Sequence, residues 1–182
     1  MKSKSHKIES YPENSPDPEG EFALAAPEYV FYALFLAMRQ RDIAFDELLA
    51  PFELNVSHWR ALAVVRRLSG CSMKTLALFS TIDRTTLTRS VDHLVDRGFV
   101  AREVPAKDRR QINLRLTPAG EALYDRAVKA LLAFNRRNVQ GIEAERLRET
   151  CRVLQALIRN VVEDEAVAAD LLTFGRPSRP AP

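Results

Sequence analysis

Apolar residues recur at three- and four-residue intervals along most of this 182-residue chain and switch to alternation in one region only. The run PEYVFYALFLAMRQRDIAFDELLA, from Pro27, sets Val30, Leu34 and Met38 beside Tyr29, Phe31 and Phe35. These positions cover more than one helix face, which predicts a helix buried on two sides. Pro27 suits its first turn and Pro51 closes it. A second helix, SHWRALAVVRRL, starts near Asn55 or Ser57 and carries Trp59, Leu62 and Ala63 inward before Gly70. Ser72 then caps a short helix, MKTLALFS, with Leu76, Ala77 and Phe79 as core contacts. Asp83 caps the next, in which Leu87, Val91, Leu94 and Val95 fall at helical spacing. Arg84, Thr85, Thr86, Thr88, Arg89 and His93 are left for its outer side, and Gly98 ends it in the left-handed conformation.

After Gly98 the period drops to two. Phe99 and Ala101 alternate with Val100 and Arg102, and Ile112, Leu114 and Leu116 alternate with Gln111, Asn113 and Arg115. That pattern predicts a two-stranded hairpin with one buried face, joined by the long basic loop PAKDRR. Thr117 and Pro118 launch a helix through about Arg137, with Leu123, Ala127, Ala130, Leu131 and Phe134 on one stripe. Gly141 breaks it, and a last helix runs from about Glu143 to Glu165 through Leu147, Cys151, Leu154, Leu157, Ile158 and Val161. Both helices are too long and too apolar to be covered by so small a unit as residues 52–117.

Composition changes this picture little. A 46% hydrophobic and 28% charged chain of this length is expected to form a packed core. The polar, Pro-rich ends, residues 1–26 and 173–182, are expected to be disordered tails. Neither a signal peptide nor a membrane span is apparent, and Cys71 and Cys151 form no CxxC pair, so a cytoplasmic setting without metal or cofactor is expected. Charge distribution says more. The formal net charge is only +3, yet between Asp83 and Arg115 eight Lys and Arg face five Asp and Glu, so the whole excess sits there.

A helix, a second helix with an Arg/Thr face and a basic hairpin, in that order, make an α+β, mostly α, winged helix-turn-helix. Arg84, Thr85, Thr86, Thr88 and Arg89 would offer guanidinium and hydroxyl groups to base edges and phosphates in the major groove. At the loop, Asp108 can hold an arginine by a charge-assisted bond, and Arg109 and Arg110 can reach the narrow minor groove, with Arg110 the favoured insertion. The competing reading is a solvated charged face with a surface ion pair at the loop.

The stretch SMKTLALFSTIDRTTLTRSVDHLVDRGFVAREVPAKDRRQINLRLTPAG resembles the MarR family of bacterial transcriptional regulators, above all in DRTTLTRSVDHLVDRGFV, in Asp108-Arg109-Arg110 and in LTPAG at 116–120. The resemblance implies a homodimer whose N- and C-terminal helices, here 27–51 and 118–172, intertwine as a dimerisation domain beside the DNA-binding lobe 52–117. It implies that Arg84, Thr85, Thr86 and Arg89 lie in the major groove, with Asp108 and Arg110 serving the wing. His93 stands where similar sequences often carry a basic residue, and an ordinary helix-surface role is expected for it. The family generally represses transcription and leaves DNA when a small molecule binds between the dimer helices and the reading lobe.

The aromatic content of the first two helices bears on that molecule. Tyr29, Tyr32, Phe35, Arg39, His58, Trp59 and Arg60, with Phe31 and Met38, could line an apolar slot with polar ends. An aromatic carboxylate or its coenzyme A thioester would stack on Trp59 or Tyr32 and meet Arg39, His58 or Arg60. Trp59 and Phe35 read equally well as plain core. The function expected is that of a repressor on a pseudo-palindromic operator, released by such an effector. The alternatives are a redox-responsive repressor using Cys71, an architectural DNA binder, and a winged helix that contacts only protein. An enzyme has little support: no Ser-His-Asp spacing stands out, and six glycines form no phosphate loop.

Overall fold

A computed structural model describes residues 26–104 and 112–174, which form seven helices, one short 3-10 turn and three short strands. In chain order these are α1 (Ala26–Leu49), the turn Ala50–Phe52, α2 (Val56–Arg67), β1 (Cys71–Ser72), α3 (Met73–Ser80), α4 (Arg84–Asp96), β2 (Val100–Glu103), β3 (Asn113–Leu116), α5 (Pro118–Asn138), α6 (Ala144–Val161) and α7 (Glu165–Phe174). Residues up to Arg41 make one compact unit and residues from Asp42 onward make the other.

Local chemistry sets the helix boundaries. Asn55 caps α2, Ser72 caps α3, Asp83 caps α4 and Thr117 caps α5, each accepting a backbone N–H of the first turn. Gly98 has φ +70° and ends α4 in the left-handed region, where a side chain would be strained. The core of the larger unit gathers Phe45 and Leu49 from the end of α1, Leu62 and Val65 from α2, Leu76, Leu87, Val91 and Leu94 from the helix-turn-helix, and Leu123, Ala127 and Phe134 from α5. Trp59 is buried among them, edge-on to Phe45 and stacked on Tyr124 with centroids 5.2 Å apart.

Three expectations are corrected. The sheet has three antiparallel strands in the order β1-β3-β2, because Cys71 and Ser72 pair with Leu114 and Asn113. A two-residue strand is too short to show a period of two. The expected last helix is two: α6 stops at Val161, and Asp164 starts α7 by accepting the N–H groups of Ala166 and Val167. That helix runs on to Phe174, which stacks on Phe79 of α3 with centroids 4.4 Å apart. Ala77, expected inside, is exposed; Leu76 and Ser80 carry that face of α3 instead.

Candidate nucleic-acid interface

The α3–α4 pair presents its chemistry at the start of α4. The Asp83 carboxylate accepts the Thr86 N–H at 2.9 Å, which sets the helix N-terminus, and Thr86 itself is half-buried. Hydrogen bonds from the Thr86 hydroxyl and N–H hold the Asp83 carboxyl below its ordinary range. Arg84, Thr85, Thr88 and Arg89 are all exposed. The Thr88 hydroxyl donates back to the Arg84 carbonyl at 3.0 Å, so toward solvent it offers an acceptor rather than a donor. The inner side of the same helix is Leu87, Ser90, Val91 and Leu94, all buried.

A cleft of about 520 Å³ opens beside this face, with Met73 and Lys74 of α3, Arg84 and Thr88 of α4, Arg102 of β2 and Ile112 among its lining. Lys74 lies at the second position of α3, adds a cation to the Arg84 side and was missed in the sequence; a lone Lys on a short helix gives no signal there. Arg102 is ion-paired to Asp92, tying β2 to α4. Arg115 of β3 meets Glu103 at 2.6 Å and Ser69 at 3.1 Å, which braces the base of the hairpin. Asp108, Arg109 and Arg110 lie outside the described residues.

His93 does not take the surface role expected of it. Its ring is half-buried and stacks on His58, with centroids 4.1 Å apart and planes 2° from parallel. Of the other residues considered for a small molecule, Trp59 belongs to the core described above, and Arg60 donates to Asp42 at 2.7 Å. Tyr29, Tyr32, Phe35 and Arg39, in the other unit, are exposed, with Phe35 69% accessible, so Phe35 is not core within this chain. Cys71 is buried and its thiol is pushed up by desolvation, which works against thiolate chemistry. Cys151 is exposed on α6. Among the described residues no cluster of three or more His, Cys, Asp or Glu could hold a metal, and no helix is long and apolar enough to cross a membrane.

A capped, outward-facing α4 that packs, like α3 before it, on α2 and is followed by an antiparallel hairpin defines a winged helix-turn-helix. Residues 52–111 match the model of the MarR family. The fold is shared with a MarR-family transcriptional regulator from Silicibacter pomeroyi, at 29% identity over 76% of this chain and 94% of that one, with a TM-score of 0.66. A MarR regulator from Methanosarcina mazei Go1 superposes with a TM-score of 0.65 at 24% identity, over 73% of this chain and 96% of that one. BpsR of Bordetella bronchiseptica, whose DNA binding is regulated by 6-hydroxynicotinic acid, does so with a TM-score of 0.65 at 21% identity, over 71% of this chain and 98% of that one. The chain has the winged helix-turn-helix fold of these regulators, and its segment 52–111 is similar to the MarR family.

Proposed function

We propose that this protein is a sequence-specific DNA-binding repressor that works as a homodimer on a pseudo-palindromic operator. The observation that carries the reading is the first turn and a half of α4: Arg84, Thr85, Thr88 and Arg89 stand exposed together on a helix whose opposite side is fully packed. Arginine can pair bidentately with guanine, threonine can meet a thymine methyl or a phosphate, and the α4 N-terminus favours a phosphate. Lys74 joins them as a phosphate contact, and Asp108, Arg109 and Arg110 are the groups proposed to serve the minor groove, Arg110 foremost. Each protomer reads one half-site, the two lying about one helical turn apart.

The test is selection of duplexes from a random pool by the full-length protein, followed by anisotropy titrations over a salt series. A selected site should outcompete random duplex by at least about 10³-fold. Arg110→Ala should weaken binding and lower the magnitude of the salt slope by about 1, and Arg89→Ala should relax preference at one base position by about 1–3 kcal/mol. Equal binding to selected and random duplex would leave only an architectural role.

For the effector, we propose an aromatic carboxylate or its coenzyme A thioester, with the exposed aromatic rings of Tyr29, Tyr32 and Phe35 and the guanidinium of Arg39 on α1 as the groups that would meet it. The aromatic acid that regulates BpsR supports this class. Binding would release DNA by changing the spacing of the two reading helices, which requires different affinities for the two states. A panel of aromatic acids and thioesters, scored by thermal shift and by release of the selected duplex, tests this; silence across the panel rejects the class.

A further inference from the structure

His58 and His93 meet where α2 begins and α4 ends. Their rings are 4.1 Å apart and nearly parallel, so the stack joins the first turn of α2 to the last turn of the helix that carries Arg84 and Arg89. His58 is also half of a capping box: its N–H donates to Asn55 Oδ1 at 2.8 Å, and its Nδ1 accepts the Asn55 N–H at 3.3 Å. A ring nitrogen that accepts carries no proton, so this cap needs Nδ1 bare. His93 Nε2 is buried and finds no hydrogen-bond partner among the described residues. The cap is built around an uncharged His58, because a charge on that ring would lie in a desolvated site against the face of His93.

We infer that the His58–His93 stack is a proton-operated latch on the reading helix: with His58 uncharged it holds the end of α4 against the start of α2, and uptake of a proton by His58 opens it. Its meaning for regulation rests on the DNA-binding reading above; its operation does not.

Charged groups around the pair bear on the direction. Asp46, at the end of α1, favours a charged His58, and its Oδ1 is held by the Val56 N–H at 2.7 Å. Glu53, before α2, faces His93 but is ion-paired with Arg97 beyond α4 at 2.5 Å. Burial outweighs Asp46, and with the field of His93 it holds His58 at about 4, below the ordinary 6.5. Once the latch opens, the ring is an ordinary histidine. Between pH 7.5 and 5.5 the open form therefore takes up a proton that the closed form refuses, and the opening equilibrium rises about tenfold.

Amide exchange on the full-length protein reads this without DNA. With rates corrected for intrinsic chemistry, protection at Leu94 to Arg97 should fall about tenfold from pH 7.5 to 5.5. In His58→Gln, where glutamine keeps the capping role, protection there should not change with pH. The His58 ring, followed by NMR, should titrate near 4 in the wild type and move toward 6.5 in His93→Gln. A pH-independent wild type, the same pH loss in His58→Gln, or a His58 that titrates at its ordinary value overturns the latch. The two ring titrations still decide the matter if His58→Gln does not fold. The latch can fail while DNA binding stands, and a chain that bound no DNA would still show it.

Discussion

Gly120 shows how a single residue holds the winged helix-turn-helix together. A Cβ there would stand 2.0 Å from the Phe99 carbonyl oxygen, a contact with backbone that no rotamer can relieve. The close approach exists because Thr117 is tied to the same turn between α4 and β2: its N–H donates to the Phe99 carbonyl at 3.0 Å and its hydroxyl donates to the Gly98 carbonyl at 2.6 Å. The same hydroxyl oxygen accepts the Gly120 N–H at 3.1 Å. The LTPAG motif is thus a clamp that fastens the start of α5 to the end of α4, which fixes the hairpin between them. Gly120→Ala should destabilise the protein by about 3 kcal/mol or more, and Thr117→Ala by about 1–2 kcal/mol, both measured by denaturant unfolding. A Gly120→Ala protein as stable as the wild type would show that this approach is not a real constraint.

At the scale of the element, α4 is held by charge at both ends, and both ends respond to acid in the same direction. Asp83 is held below its ordinary value by Thr86, and Glu53 is held low by Arg97. A carboxyl depressed in the folded state contributes stability that is complete above its unfolded value and is lost as pH falls through its folded one. His58, also depressed, starts to contribute its loss earlier, from 6.5 down to about 4. The melting temperature should therefore be flat above about pH 7, decline first through the histidine window and then steepen below about pH 4. Asp83→Asn, which keeps the cap but not the charge, should flatten only the lower limb. How much of this could be read in advance depends on range. Caps at Ser72, Asp83 and Thr117 were legible because each acts over three residues of sequence. The outer Arg/Thr face was legible because the 3.6-residue period leaves it no other side. The pairing of Cys71 with Leu114, the stack of Phe174 on Phe79 and that of His58 on His93 were not, since each joins residues 35 or more apart. Trp59 could be read as core or as ligand platform until Tyr124 was seen against it.

At the scale of the molecule, apolar side chains stay at least partly open to solvent along two of the described helices. In the unit up to Arg41, Tyr29, Phe31, Tyr32, Phe35, Leu36 and Met38 are all exposed on one helix. In the larger unit, α6 has no buried residue, although its stripe of Leu147, Leu154, Leu157, Ile158 and Val161 repeats at three and four. Val161 is 71% exposed. An amphipathic helix gains most of its stability by burying such a stripe, and contiguous exposed patches of this kind mark interfaces. A second copy of the chain is the cover proposed for both. The protein should then sediment at twice its chain mass at micromolar concentration. Phe35→Glu combined with Val161→Glu should shift it toward monomer while leaving the near-ultraviolet signal of Trp59, which sits in the core of the larger unit, unchanged. The same variant separates assembly from recognition: on a selected palindromic duplex it should lose the affinity gained from the second half-site, and on a single half-site it should bind as the wild-type protomer does. A wild-type chain that sediments as a monomer, or a variant that keeps full affinity for the palindrome, would leave those faces without the role assigned to them, and the half-site geometry would then have to come from elsewhere in the chain.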